Sequence, residues 1–138
     1  MLGNVSTLED FISSKPKYLK REDLVKEKSI WNEQRELSWL SKALPQFDRK
    51  DRLQIVDVLK TLDGQDAYGQ FWKNIITIAR NAVRGTLYHE AFHGVVNSLL
   101  TEQEYTDLFN AATEQYGNLN IEDLEEKLAE DFRRDTKL

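Results

Sequence analysis

The spacing of apolar and polar positions separates the first 29 residues from the rest of the chain. Residues 1–29 are mostly polar and of mixed charge, with few large apolar side chains. A segment of this kind buries little apolar surface, so we predict a peripheral N-terminal arm or linker outside the main core. Residues 30–138 are predicted to form a single domain.

Helical and strand-like spacings alternate in the first half of this domain. Leu37, Leu40 and Leu44 recur at helical spacing before Pro45, which predicts a helix that the proline ends. The run RLQIVDVLKTL, residues 52–62, is rich in β-branched and aliphatic side chains. It predicts a buried strand, with a helix as the alternative.

Residues 63–80 predict a hairpin, or a turn followed by a strand. Gly64 and Gly69 interrupt this stretch, and IITIAR has the β-branched content of a strand.

Three helices are predicted in the second half of the domain. The first begins near Thr86 as its N-cap. The second begins with a capping box of Thr101 and Glu104 and ends at Gly117. The third starts after Asn120 and has one apolar face, formed by Ile121, Leu124, Leu128 and Phe132. Together these elements predict an α+β fold.

Composition and charge narrow the function classes. The 138 residues include 24 acidic and 19 basic side chains, a net charge of −5, without a basic block, which argues against a nucleic-acid partner. The absence of cysteine excludes a disulfide framework, cysteine-ligated zinc and thiol catalysis. No run approaches the ~18 apolar residues of a membrane span, and no signal peptide is evident, so we expect a cytoplasmic protein without a membrane partner. The oligomeric state stays open.

Both histidines of the chain lie in the segment GTLYHEAFHGVV, residues 85–96. His89 and His93 are four residues apart, which places both imidazoles on one helical face within reach of a single ion. Glu90 lies at the edge of that face. This H-E-x-x-H pattern is typical of helix-borne zinc sites, in which the glutamate is the general base.

The alternative is a chance match, because a pattern with three fixed positions recurs in unrelated proteins. Three observations favour a metal. No histidine occurs elsewhere, a predicted strand precedes the helix, and apolar residues surround the pair. Unpaired imidazoles on such a core-facing helix would be costly.

A catalytic zinc site needs a third protein ligand. The extended motif with a third histidine is absent, since Val96 and Leu99 occupy its glycine and histidine positions. The third ligand is therefore expected to be a carboxylate. The last predicted helix offers six, namely Glu122, Asp123, Glu125, Glu126, Glu130 and Asp131.

HEAFH followed some thirty residues later by EKLAEDF resembles the gluzincins, the zincin peptidases with a glutamate ligand. Several of their branches have an E-x-x-A-[DN] helix. The resemblance implies that Glu126 is the third zinc ligand and that Glu130, one turn later, accepts a hydrogen bond that fixes the tautomer of a ligand histidine. The chain departs from the family by a glutamate where aspartate or asparagine is usual. Glu130 as the ligand is the next alternative, followed by Glu125 and Glu122.

The resemblance implies a zincin-like fold, in which a small mixed or antiparallel sheet packs on an active-site helix and a C-terminal ligand helix. It further implies a metallopeptidase with one zinc ion per chain, Glu90 as general base, and a peptide or protein substrate. Manganese, cobalt and nickel stay open as alternative metals. An inactive zincin-like interaction domain is the second hypothesis, and a metal-free helical packing module is the third.

The likeness covers roughly residues 64–134. In zincins an edge strand before the histidine helix binds substrate backbone, and this implies that role for residues 74–80. GTLYHEAFH with LAEDF also resembles peptidase domains of large bacteriophage proteins, including those of gut phages. That origin would place the protein in the host cytoplasm or the virion.

Several other side chains have two interpretations. Three tyrosines are candidates to stabilise an oxyanion, or else packing residues: Tyr88, Tyr105 and Tyr116. Three tryptophans are predicted in the core or at a cleft wall: Trp31, Trp39 and Trp72. Arg80 and Arg84 are candidates to bind a substrate carboxylate, although surface arginines are common.

Overall fold

The structure is a computed structural model that describes residues 15–135. Its five strands are β1 (Lys17–Lys20), β2 (Leu53–Val56), β3 (Leu59–Lys60), β4 (Asp66–Trp72) and β5 (Ile75–Ala79). Its four α-helices are α1 (Glu33–Ala43), α2 (Thr86–Ser98), α3 (Glu102–Tyr116) and α4 (Ile121–Asp135). Two short 3-10 turns cover Arg21–Leu24 and Pro45–Phe47.

The strands form one mixed sheet in the order β1-β4-β5-β2, with β3 paired to the beginning of β4. The pair β2–β5 is parallel, and all other pairs are antiparallel. This confirms the α+β class and the small mixed sheet. β1 and β2 are the two outer strands of the main path.

The hairpin predicted for residues 63–80 is confirmed by strands β4 and β5. A two-residue turn of Lys73 and Asn74 joins them, and both have positive φ angles, 52° and 62°. Positive φ at both central positions is the geometry of a type I′ turn, whose twist matches that of the flanking strands.

The run 52–62 contains the predicted strand, but as two short pieces, β2 and β3, rather than one. Apart from Thr61, its side chains are half-buried or exposed, because β2 lies at the outer end of the sheet and has only one neighbour among the described strands. Val58 and Leu62 are strongly exposed. The prediction of a fully buried strand is therefore wrong.

The assignment of residues 74–80 to an edge strand is also wrong. β5 lies between β4 and β2 and makes ladder hydrogen bonds on both sides. The parallel pairing with β2, which comes from earlier in the chain, is a non-local contact that spacing within residues 64–96 does not reveal.

The structure also corrects the predicted N-terminal arm. Residues 17–20 form β1, which pairs with β4, and Leu19 and Leu24 are buried beside Val83. These few apolar residues are enough to anchor the segment, because they fall at the positions that face the core. Residues 1–14 lie outside the described part of the chain.

Two apolar clusters hold the layers together. The larger fills the space between the sheet, α1 and α2, and includes Trp31, Leu40, Phe47, Phe71, Ile76, Ile78, Ala82, Leu87 and Ala91. The smaller joins α2, α3 and α4 through Val96, Phe109, Ala112 and Leu124. The second cluster fixes α4 against α2 and therefore sets where the acidic helix meets the histidines.

The helix termini follow the sequence signals closely. Thr101 and Glu104 form the predicted capping box, and Gly117 ends α3 with a φ of 89°. α2 differs slightly, because Gly85 is its N-cap, with a φ of 81°, and Thr86 is its first residue. Among the described residues, no helix combines the length and apolar character needed to cross a membrane.

Candidate metal centre

Helix α2 presents both histidines on one fully buried face. The Nε2 atoms of His89 and His93 lie 3.2 Å apart. Both side chains are essentially inaccessible, at 0% and 1% exposure. Phe71 of β4 stacks on the His93 ring at a centroid distance of 6.2 Å and so supports it from the sheet.

Helix α4 brings Glu126 to the same point. Its Oε1 lies 2.8 Å from His93 Nε2, and its Oε2 lies 3.2 Å from His89 Nε2. Among the described residues, His89, His93 and Glu126 form a group whose ligand atoms all lie within 4.8 Å of one another. The structure does not bring Glu122, Asp123 or Asp131 to the histidines.

Two further carboxylates of α4 fix the orientation of the imidazoles. Glu130 Oε2 lies 2.7 Å from His89 Nδ1, and Glu125 Oε2 lies 2.5 Å from His93 Nδ1. Because an ionised carboxylate only accepts hydrogen bonds, each Nδ1 carries the hydrogen and donates it. In the neutral imidazoles, both Nε2 atoms then have lone pairs that face each other and Glu126.

Two imidazole nitrogens and the two oxygens of one carboxylate therefore converge on one small volume. Ligand atoms about 2.0–2.1 Å from a tetrahedral zinc ion lie about 3.3 Å from one another. Here the two Nε2 atoms are 3.2 Å apart, Glu126 Oε1 is 2.8 Å from His93 Nε2, and the other oxygen, Oε2, is 3.2 Å from His89 Nε2. The two nitrogens and the Glu126 carboxylate are therefore close enough together to bind one such ion. Lone pairs this close repel unless a positive charge lies between them.

The carboxylates shift the pKa values of the histidines upward. Burial opposes charge on His89, but its hydrogen bonds with Glu126 and Glu130 outweigh burial and raise its pKa to about 10. For His93, burial again opposes the charge, yet Glu125 and Glu126 leave its pKa raised. The surrounding groups thus favour positive charge at the two imidazoles. Without a metal that charge is a proton on Nε2, which a bound cation would replace.

The carboxylates themselves are held ionised. Burial opposes this, but hydrogen bonds from both histidines lower the pKa of Glu126 well below its usual range. For Glu130, the bonds from His89 and Arg133 outweigh burial and lower the pKa to about 2. Glu126 is therefore in the ionised form that binding a metal requires, and Glu130 is in the ionised form that accepts the His89 hydrogen.

Arg133, one helical turn after Glu130, holds the Glu130 carboxylate in position. Its Nε and Nη2 donate to Glu130 at 2.8 and 3.1 Å, and its Nη1 donates to Glu27 at 2.7 Å and to the Arg84 carbonyl at 2.9 Å. The side chain is only 2% exposed. Sequence reasoning missed this residue, although its spacing of three from Glu130 was a usable signal.

Asn97 supports the other carboxylate. Its Nδ2 donates to Glu125 at 3.0 Å and to the His93 carbonyl at 2.7 Å. Asn97 is one helical turn after His93 on α2. Helix α2 therefore helps to position Glu125, the carboxylate that orients His93. The sequence prediction placed Glu125 low among the possible ligands and assigned Asn97 no role.

Glu90 is completely buried, and its two carboxylate oxygens have no hydrogen-bond partner among the described residues. Burial raises its pKa to about 7, despite the opposing influence of His89 and His93. Gly69 of β4 leaves the room that it needs, because a Cβ there would lie 2.4 Å from Glu90 Oε2. An unpaired buried carboxylate is costly and is typical of functional sites.

A second buried carboxylate fixes the beginning of α2. Glu36 of α1 accepts hydrogen bonds from the backbone N–H groups of Gly85 at 2.9 Å and Leu87 at 3.2 Å. Burial raises its pKa, although these bonds act in the opposite direction. A carboxylate at a helix N-terminus satisfies donors that have no partner within the helix and complements the helix dipole. In the sequence, the signal that Glu36 is buried was its position four residues before Leu40, on the apolar face of α1.

Substitution of Glu36 by glutamine is expected to destabilise the protein by about 1–3 kcal/mol, because the amide NH2 would face a backbone N–H and leave it unsatisfied. Thermal or urea unfolding measures the change. Glu33→Gln, on the same helix but half-exposed, is the control and should cost under about 0.5 kcal/mol. Equal losses in both variants would contradict the capping role.

A groove of about 690 Å³ leads to the centre. Residues 15–20 form one wall, and a stripe of α4 that includes Glu122, Glu126 and Glu130 forms the other. The Glu126 side chain is 39% exposed, while both histidines are buried behind it. The groove is therefore the open side of the site.

Among the three tyrosines considered for an oxyanion role, the structure places only Tyr116 in this groove. Tyr88 is buried edge-on against Trp39, and Tyr105 packs on Phe109. Arg80 forms ion pairs with Asp57 and Glu33, which is a surface role.

Comparison of the chain with protein-family models, curated proteins and solved structures gives no match.

Proposed function

We propose that the protein is a zinc-dependent peptidase of the gluzincin type, with His89, His93 and Glu126 as the metal ligands. The observation that carries the proposal is the convergence of the Glu126 carboxylate with two imidazole nitrogens whose rings are oriented by other carboxylates. Glu125 and Glu130 hold the Nδ1 hydrogens, so the Nε2 lone pairs are available to a cation. Two nitrogens and one carboxylate are the donor set of a catalytic zinc site.

The chain's own residues supply the other parts of a hydrolytic site. When bound, a zinc ion supplies a Lewis acid that polarises a carbonyl group and makes water a better nucleophile. Glu90, adjacent in sequence to His89, accepts the proton from the attacking water and passes it to the leaving amine. A carboxylate with a pKa near 7 suits both steps at neutral pH.

The groove offers a place for an extended peptide. Within residues 15–135, β1 pairs only with β4, so its other edge presents backbone donors and acceptors along the groove that no described strand pairs with. An extended substrate that adds to this edge would pass the exposed carboxylate of Glu126. β1 thus takes the substrate-binding role that sequence reasoning gave to residues 74–80.

A zincin-like interaction domain without activity is the second candidate. One observation favours it: Glu90 is 0% exposed, so in this conformation its carboxylate does not reach the groove surface. Metal binding is expected for both candidates, and peptide hydrolysis only for the peptidase. Incubation of the zinc-loaded protein with a random peptide mixture, followed by mass spectrometry, separates the two.

The direct test of the centre is a zinc titration of the purified protein. We expect one zinc ion per chain by elemental analysis, with binding followed by calorimetry. The double variant His89→Ala, His93→Ala is expected to bind none. Parallel titrations with manganese, cobalt and nickel establish the metal preference. A wild-type protein that folds and binds no divalent ion would overturn the proposal.

A further inference from the structure

Lys17 lies on the side of β1 that faces the metal centre. Its partner in the antiparallel register is Phe71, the residue that stacks on His93. Directly opposed residues of an antiparallel pair project to the same face of the sheet. Lys17 and His93 are therefore on the same side of the sheet, and both approach Glu125.

The Lys17 ammonium is weakly satisfied for a group so little exposed. Its side chain is 13% exposed, and its nearest carboxylate oxygen, Glu125 Oε2, is 3.8 Å from Nζ, beyond hydrogen-bond distance. Within residues 15–135 its three donors make no hydrogen bond. A desolvated ammonium needs such partners, and Lys17 lines the groove together with Glu126.

The other cations of the groove differ in this respect. Lys15, Lys127 and Arg134 also line it, but their side chains are exposed. Lys20 lines it as well and is half-buried, but its charge already acts on the Asp63 carboxylate. Water and salt screen exposed charges strongly, whereas a charge at 13% exposure acts at close range. Lys17 is thus the groove cation best able to recognise a bound anion.

We propose that Lys17 binds an anionic oxygen of the peptide substrate beside the metal centre. The proposal rests on the proposed peptidase function. Two sources share this chemistry: the oxygen of the scissile carbonyl as it gains negative charge, and the terminal carboxylate of a peptide. In either case the ammonium donates a charge-assisted hydrogen bond to the ligand and keeps Glu125 as a second neighbour.

The experiment compares wild type, Lys17→Met, Lys17→Arg and Lys26→Met at saturating zinc, with affinities measured by calorimetry. One probe is a phosphinic dipeptide amide, whose single anion mimics the tetrahedral oxyanion. The other is an N-acetyl dipeptide acid, whose single anion is the terminal carboxylate. Lys26 is exposed and outside the groove, so Lys26→Met removes the same charge from the same segment without removing the contact.

We expect Lys17→Met to weaken one probe by about tenfold or more, Lys17→Arg to restore most of that affinity, and Lys26→Met to have little effect. Loss with the phosphinic amide assigns the oxyanion, and loss with the acid assigns the terminal carboxylate. If Lys17→Met and Lys26→Met behave alike, or if wild type binds neither probe, the proposal is overturned. Failure of the wild type to bind zinc, measured first, overturns the peptidase function and this proposal together.

Discussion

Replacing Glu126 with alanine is expected to weaken zinc binding by more than about 100-fold, beyond the effect of Glu130→Ala, which we place at about 10- to 100-fold. The difference follows from their positions. Glu126 contacts both Nε2 atoms, whereas Glu130 contacts only the Nδ1 atom of His89. Glu126→Ala removes a proposed metal ligand. Glu130→Ala leaves His89 in place but removes the hydrogen bond that orients its ring.

Competition with a chromophoric chelator measures both affinities. Glu122→Ala is the matched control, because Glu122 is one turn earlier on the same groove-lining stripe and is exposed. It should bind zinc like the wild type. If Glu130→Ala abolishes binding while Glu126→Ala retains it, the ligand assignment is displaced by one helical turn.

Glu90→Gln is expected to lower peptide hydrolysis by about 10²- to 10⁴-fold while zinc binding is retained. Glutamine has nearly the same shape, so it fits the space beside Gly69, but it does not accept a proton from water at neutral pH. The measurement is the initial rate of cleavage at saturating zinc, on a peptide identified from the random mixture. Because Glu90 makes no hydrogen bond among the described residues, the substitution breaks no paired contact.

A fold check accompanies this variant. Removal of an uncompensated buried charge should leave the unfolding temperature unchanged or raise it. Unaltered cleavage by Glu90→Gln would end its assignment as general base. A large loss of stability would show instead that the carboxylate has a structural role.

Local signals in the sequence predicted much of the framework. The leucine spacing before Pro45, the capping box at Thr101 and the turn glycine Gly117 each act within a few residues, and each element occurs where it was predicted. The spacing of His89 and His93 likewise placed both imidazoles on one face. These features depend on helical geometry alone, which a single sequence specifies well.

The parts that were missed depend on contacts between distant segments. β1 belongs to the sheet because it pairs with β4, about fifty residues later. Glu36 reaches α2 across 49 and 51 positions, and Arg133 reaches Glu27 across 106. No periodicity within one segment encodes such partners. Glu125 was ranked low for a related reason, since only the packing of α4 on α2 decides which of two adjacent carboxylates meets which nitrogen.

The two halves of the candidate centre, the histidines of α2 and the carboxylates of α4, are synthesised at different times. The carboxylates of α4 come 32 and 41 residues after the histidines that they orient. On the ribosome, α2 therefore leaves the exit tunnel well before its acidic counterparts have emerged. A nascent chain at that stage has two imidazoles without the carboxylates that fix their tautomers. Under the proposed metal-binding function, high-affinity loading therefore requires α4 and is a late event in biogenesis.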